Sequence, residues 1–294
     1  MTEKTTYLVP GYSLRKEEIR QIMKLKPGEV KEKAGSRLRV CEDLDELHKK
    51  FARDIADEII KNNNEGQPSR FILPIGPTGQ YPYLIEILEE ENISLKDCWF
   101  FFMDEYCDRK GNAISIEHPL SFKKIAKNKF LDQIPESSEL SHDHVFFPDE
   151  KNINLIADII DQKAGGIDVC FGGIGIHGHV AFNEPALNIA KSGPRRVKLN
   201  NFTITINAIR SEVGGNLENF PNEALTIGMA QILDAKKIRL YCRNGTPYDW
   251  ANTILRVALF GTPGDDYPVT YIRKHPDYMI TTDKNTLKTP KNIL

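Results

Sequence analysis

Between Gly172 and Pro185 the chain reads GGIGIHGHVAFNEP, which places His177, His179 and Glu184 within eight residues of one another. A carboxylate beside a histidine can set its tautomer and keep its protonation change near neutral pH, which suits a proton shuttle. Gly172, Gly173 and Gly175 open backbone conformations closed to other residues and permit close approach to a ligand. A second candidate is Asp104-Glu105, two carboxylates directly after the apolar run Cys98–Met103. A partly buried carboxylate there has its pKa raised and can serve as a general base. The same pair also fits a helix N-cap or an ion pair. A third is the stretch Leu73–Pro82, where Gly76, Thr78, Gly79 and Gln80 precede a helical pattern. Backbone N–H groups, a hydroxyl, an amide and a helix N-terminus can together hold an anion. No GK[ST] follows, so it is not a Walker loop, and a tight strand-to-helix turn accounts for it equally well. The His177-x-His179 spacing suits two metal ligands, but no third is evident nearby, so no metal is expected. His118, in IEHP, reads as structural.

These residues need a scaffold, and the apolar periodicity supplies one. Leu44, Leu47, Phe51, Ile55 and Ile59 form a helical stripe, and Arg70–Leu73 then reads as a strand. The alternation continues with helix over Leu84–Leu88, strand over Cys98–Met103, helix over Phe122–Phe130 and strand near Val145–Phe147. Helix over Ile153–Ile160 and strand over Ile167–Phe171 follow. Strand over Ile238–Cys242, helix over Trp250–Leu259 and strand over Tyr278–Thr281 close the series. Such alternation predicts an α/β fold whose mostly parallel sheet carries helices on both faces. Ligands bind such sheets outside the carboxyl ends of the strands, and all three chemical segments lie at strand ends. Residues 1–36 read as an N-terminal extension packed on a single domain spanning 37–294. The polar stretch from Arg195 to Asn222, with Gly214-Gly215 as hinge, reads as a mobile lid.

Composition narrows the function class. The 294 residues are 40% hydrophobic and 27% charged, ordinary for a globular protein. A net charge of −2 offers no general attraction to nucleic acid or anionic membrane. No apolar run reaches membrane-spanning length, and MTEKTTYLVPGYSLRKEE has no signal-peptide core, so a cytoplasmic protein is expected. The five cysteines, Cys41, Cys98, Cys107, Cys170 and Cys242, are odd in number and form no CxxC pair. They are expected to be reduced and mostly buried.

FFMDEY, the EHP of Glu117–Pro119, GGIGIHGHVAFNEP and the ALTIG of Ala224–Gly228 together resemble the glucosamine-6-phosphate deaminase family. That family sits in a larger group with the 6-phosphogluconolactonases. The resemblance covers roughly residues 37 to 285, and its FNEP ending is specific to the deaminases. It implies a Rossmann-like fold, no cofactor, and an amino-sugar phosphate substrate converted to a ketose phosphate and ammonia. By position, Asp104 is then the base that takes the C2 proton, His179 assists ring opening, and Glu184 orients it. The Thr78-Gly79 loop, with Gln80, Gly175 and Arg210, is expected to hold the substrate. Homo-oligomerisation is compatible with it.

Three features depart from that pattern. The family usually has an aspartate where this chain has His177, which thereby takes a place in the catalytic set. Gln80 and Tyr81 follow Gly79 where the family has a further glycine and a hydroxyl residue. The segment Arg243–Trp250 lacks the lysine that usually follows its strand, leaving Arg243 as the substitute. Two other functions stay open: a sugar-phosphate binder or sensor, and a lactonase-type hydrolase, which FNEP argues against.

Overall fold

A computed structural model describes residues 15–244 and 250–294. The first fourteen residues of the expected extension, and 245–249 of the segment lacking the lysine, lie outside the described residues. Among the described residues ten strands form two sheets. The large one comprises β1 (Leu38–Cys41), β2 (Ser69–Leu73), β3 (Cys98–Phe102), β5 (Val145–Phe146), β6 (Val169–Gly173), β9 (Lys237–Cys242) and β10 (Tyr278–Asp283). Its order is β1-β10-β9-β6-β2-β3-β5 and every pair is parallel, so the predicted fold class holds. The small antiparallel sheet, β4 (Asp104–Tyr106), β8 (Glu223–Thr226) and β7 (Arg195–Lys198), runs in the order β4-β8-β7.

The central strands read as continuous apolar runs because both faces are covered. Phe71, Leu73, Phe100, Phe102 and Phe171 point to one side. There they meet α3 (Leu44–Asn64) and α4 (Gln80–Glu90) through Phe51, Ile55, Tyr81 and Leu84. Ile72, Phe101, Cys170, Ile238 and Leu240 point to the other side. They meet α8 (Met229–Asp234) and α9 (Ala251–Phe260) through Ile232, Ile254 and Leu255. Side chains alternate along a strand, so each run feeds two cores. Asp43 caps α3 by accepting from the Glu46 N–H at 2.9 Å.

Ahead of β1, α1 (Arg15–Met23) and α2 (Pro27–Ala34) pack on α9. Fully buried Arg256 ties this layer down, donating to the Leu25, Asn252, Leu287 and Lys288 carbonyls at 3.0–3.3 Å. The five cysteines are all free and buried.

The predicted helix over Ile153–Ile160 is shifted toward the C-terminus and changes its winding part-way. An α-turn, α6, spans Ile156–Asp158 and continues as a π-helix over Ile159–Ala164. The strands β4, β7 and β8 lack the long apolar runs that mark the others. The lid expectation for Arg195–Asn222 is corrected at its start, where Arg195–Lys198 is β7, paired along its length with β8. After α5 (Phe122–Lys129) in chain order, the remaining helices are α7 (Asn201–Arg210) and α10 (Lys284–Leu287). α7 buries Thr203, Ile206 and Ala208 over a small core with Tyr106, Phe182 and Phe220.

Candidate active site

The strand order reverses around β6, which lies between β9 and β2. The crevice beyond the carboxyl ends of these strands is where such a sheet takes a ligand. A cavity of about 780 Å³ opens there. Its walls come from the end of β2 (Ile75, Gly76, Pro77, Thr78), the β3–β4 junction (Met103, Asp104) and the end of β6 (Gly173, Gly175, His179). The α7 residues Asn207 and Arg210, and Arg243 after β9, complete it.

Asp104 stands where the chain leaves one sheet for the other. The Met103 N–H donates to Leu73 O at 3.0 Å, its carbonyl accepts from Ile227 N–H at 2.8 Å, and Asp104 then pairs with Thr226 in the small sheet. Asp104 is only 7% exposed and lines the cavity. Burial, with repulsion from neighbouring Glu105, pushes its pKa up to about 8. Glu105 takes the other role open to the pair. Its carboxylate accepts from Ser121 Oγ and from the Tyr106, Phe122 and Lys123 N–H groups at 2.8–3.0 Å, so it closes the N-terminus of α5. One carboxylate holds structure and the other faces the cavity.

Past β6 the chain folds into a tight loop, with Gly175 N–H donating to His179 O and Gly178 N–H to Gly175 O, both at 2.9 Å. The loop lays the His179 ring on Gly175, where a Cβ would stand 1.8 Å from Nε2. Nε2 therefore reaches the cavity, and Nδ1 turns inward. Nδ1 lies 3.6 Å from Glu184 Oε2 and 3.3 Å from Thr203 Oγ1. Burial would raise the Glu184 carboxylate, but the His179 ring and hydrogen bonds from Thr203 and Asn200 outweigh it and hold it below its ordinary value. The pair is a histidine with one nitrogen steadied by a carboxylate and the other free to exchange a proton.

His177 is absent from the cavity wall. Its ring meets the edges of Phe202 and Tyr267, at 5.4 and 5.7 Å between centroids, and Nδ1 lies 3.2 Å from the Asn200 amide nitrogen. Burial lowers its pKa, His179 adds to the fall, and Glu184 opposes it. It stands behind the His179–Glu184 pair rather than beside the ligand. Among the described residues no group of three or more His, Cys, Asp or Glu side chains is placed to hold a metal ion.

At the opposite end of the cavity Thr78 lines the wall, while Gly79 sits behind it as the residue preceding α4. The His48 ring packs on Gly79 so closely that a Cβ there would lie 2.2–2.6 Å from three ring atoms. Gln80 is fully buried and its side-chain amide donates to Pro77 O at 2.9 Å, so that side chain stiffens the loop and lies outside the cavity wall. Tyr81 likewise donates to Pro74 O at 2.6 Å and stacks on Phe130, so its bulk is taken up behind the loop.

Arg210 lies in the cavity mouth with its guanidinium over the Trp250 ring, 4.9 Å from the centroid. Partial desolvation and the charge of Arg243 lower its pKa to about 10. Arg243 itself is half-buried and lowered by burial, with Asp283 opposing, and its Nε has no hydrogen-bond partner among the described residues. Two guanidinium groups that repel each other in one cavity wall have the charge and donor geometry to receive an anion.

No protein-family model matches the chain. Glucosamine-6-phosphate deaminase of Mycoplasma mycoides subsp. mycoides SC is 30% identical to it over 261 residues, 87% of this chain and 98% of that one. The chain belongs to the glucosamine-6-phosphate deaminase family. Glucosamine-6-phosphate deaminase 2 of Mus musculus is 32% identical over 212 residues, 69% of this chain and 72% of that one. A solved structure of a monomeric glucosamine-6-phosphate deaminase superposes with a TM-score of 0.74 at 26% identity, over 85% of this chain and 98% of that one. A 6-phosphogluconolactonase from Thermotoga maritima shares the fold, with a TM-score of 0.63 at 15% identity, over 84% of this chain and 99% of that one. No helix among the described residues of this deaminase-family chain is long and apolar enough to cross a membrane.

Proposed function

We propose that the chain converts glucosamine 6-phosphate, or a close hexosamine phosphate, into a ketose phosphate and ammonia. The observation that carries the reading is Asp104, a buried carboxylate with its pKa pushed up to about 8, facing the same cavity as His179, Arg210 and Arg243. Arg210, Arg243 and the Thr78 loop receive the phosphoryl group. His179 Nε2 moves a proton at the ring oxygen as the sugar opens, with Glu184 steadying the imidazole through Nδ1. Asp104, once deprotonated, takes the C2 proton and returns it to C1. The iminium this leaves at C2 adds water, and the carbinolamine so formed loses ammonia to leave the ketone. Gln80 and His177 have no contact with substrate in this scheme. Membership of the deaminase family and the convergence of base, histidine–carboxylate pair and anion site support it.

The test is ammonia release from a panel of hexosamine phosphates, run beside hydrolysis of 6-phosphogluconolactone. Ammonia from at least one amino-sugar phosphate is expected. Lactone hydrolysis without ammonia release refutes the proposal.

A further inference from the structure

A usual aspartate is missing at position 177, yet the His179–Glu184 pair is not left loose. Asn200 occupies the space between the three side chains. Its Oδ1 accepts from the Thr203 N–H at 2.9 Å and so caps α7. With the oxygen committed there, the amide nitrogen faces Glu184 Oε2 and His177 Nδ1, to which it lies within hydrogen-bond distance. The Asn200 backbone N–H adds a third bond, to Glu184 Oε1 at 3.4 Å. An amide has two N–H donors. One goes to the carboxylate and the other to the bare Nδ1 of a neutral His177, since a protonated Nδ1 would set two donors against each other.

We infer that Asn200 is a positioning residue for the ring-opening histidine. It fixes the Glu184 carboxylate toward His179 Nδ1 and uses His177 as its second acceptor, the work the family's aspartate performs by charge. One turn further on, Thr203 closes the same nitrogen with its hydroxyl at 3.3 Å. The arrangement keeps the His179 proton on Nδ1 and leaves Nε2, against Gly175, open toward the cavity. Asn200 touches neither substrate nor the reacting atoms. Its effect on chemistry passes through Glu184.

The kinetic arm of the test rests on the deaminase reading, and the spectroscopic arm does not. Asn200→Ser keeps the cap, because serine caps a helix about as well as asparagine, but it lacks an amide to reach Glu184 and His177. Ring-nitrogen NMR of ¹⁵N-histidine-labelled protein should show His179 as a single Nδ1–H tautomer in the wild type and as a mixture in the variant. With glucosamine 6-phosphate, kcat should fall about tenfold to a hundredfold while KM moves by less than about threefold, the mark of a displaced catalytic group. If the serine variant does not fold, Asn200→Thr, another capping residue, takes its place with the same expected results. A folded variant with the wild-type tautomer signal and unchanged kcat overturns the inference, since a capping role alone predicts that outcome. If the wild type releases no ammonia, the deaminase reading falls, and the tautomer comparison alone decides for or against Asn200.

Discussion

Asp104→Asn separates what the buried carboxylate does for chemistry from what it costs the fold. The amide keeps the shape and loses the charge. In the folded protein Asp104 holds its proton up to about pH 8, against an ordinary value of 3.8. Between those limits the unfolded chain has already released the proton that the folded chain retains. A raised folded pKa therefore contributes stability at low pH that is lost as pH climbs through about 8. At about 1.36 kcal/mol per pH unit, the wild type should lose at most roughly 4 kcal/mol between pH 5 and pH 8 from this one group. The asparagine variant has no such loss. Urea unfolding at pH 5, 6.5 and 8 should show the variant gaining on the wild type by about 2–4 kcal/mol across the series. Above about pH 8, where the wild-type carboxylate is ionised, the variant's turnover should be about 100- to 10,000-fold lower, the usual loss on removing a general base. The kcat/KM of the wild type should rise with pH and level off above about 8, because the base must be deprotonated to act. A stability difference that stays constant from pH 5 to pH 8, with turnover retained, would falsify the assignment.

The other predictions concern the anion end. Arg243→Ala should raise KM for the sugar phosphate and the inhibition constant of inorganic phosphate together, by roughly 10- to 150-fold, the equivalent of about 1.5–3 kcal/mol for a charged hydrogen bond. Matching phosphate inhibition in variant and wild type would remove Arg243 from the site. Gly79→Ala drives a methyl into the His48 ring and should weaken phosphate binding by shifting the Thr78 loop. The double variant His48→Ala/Gly79→Ala should recover most of the loss. Failure to recover, measured by phosphate inhibition, means that the ring is not the obstruction.

Much of this molecule is legible in its sequence because the large sheet is buried on both faces. Phe71–Leu73, Phe100–Phe102 and Cys170-Phe171 are apolar without interruption, as short strands covered on both sides must be. The small sheet leaves no such mark. Arg195–Lys198 reads Arg-Arg-Val-Lys, with one apolar residue in four positions that alternate between half-buried and exposed, so no strand period stands out from a polar loop. Strand ends and family resemblance point to Asp104, Thr78 and Arg210, and the cavity gathers them. That the Gln80 amide turns to Pro77 O is not legible, because an amide's target depends on its rotamer and spacing does not encode that. Asn200 does carry a cap signal in the sequence, though a shared one: two asparagines, Asn200 and Asn201, precede the apolar positions of α7 that begin at Phe202. Nothing in the string says that the cap's spare amide faces Glu184. His48 and Gly79 lie 31 positions apart, and only the packing of α3 beside the loop brings them together.

The ten residues of α7 span both ends of the active site. Its first turn closes on His179 and Glu184, and its last turn delivers Asn207 and Arg210 to the anion pocket. A helix of this length is a rod of about 15 Å that does not stretch. Its two ends therefore share a single pose, and a tilt that seats Arg210 on a phosphoryl group also resets the contact between Thr203 and His179. On the proposed reading, the substrate's tail acts as a handle on the machinery at its head. A sugar without the phosphate would meet the ring-opening histidine with the rod unset, and would be handicapped in turnover as well as in affinity.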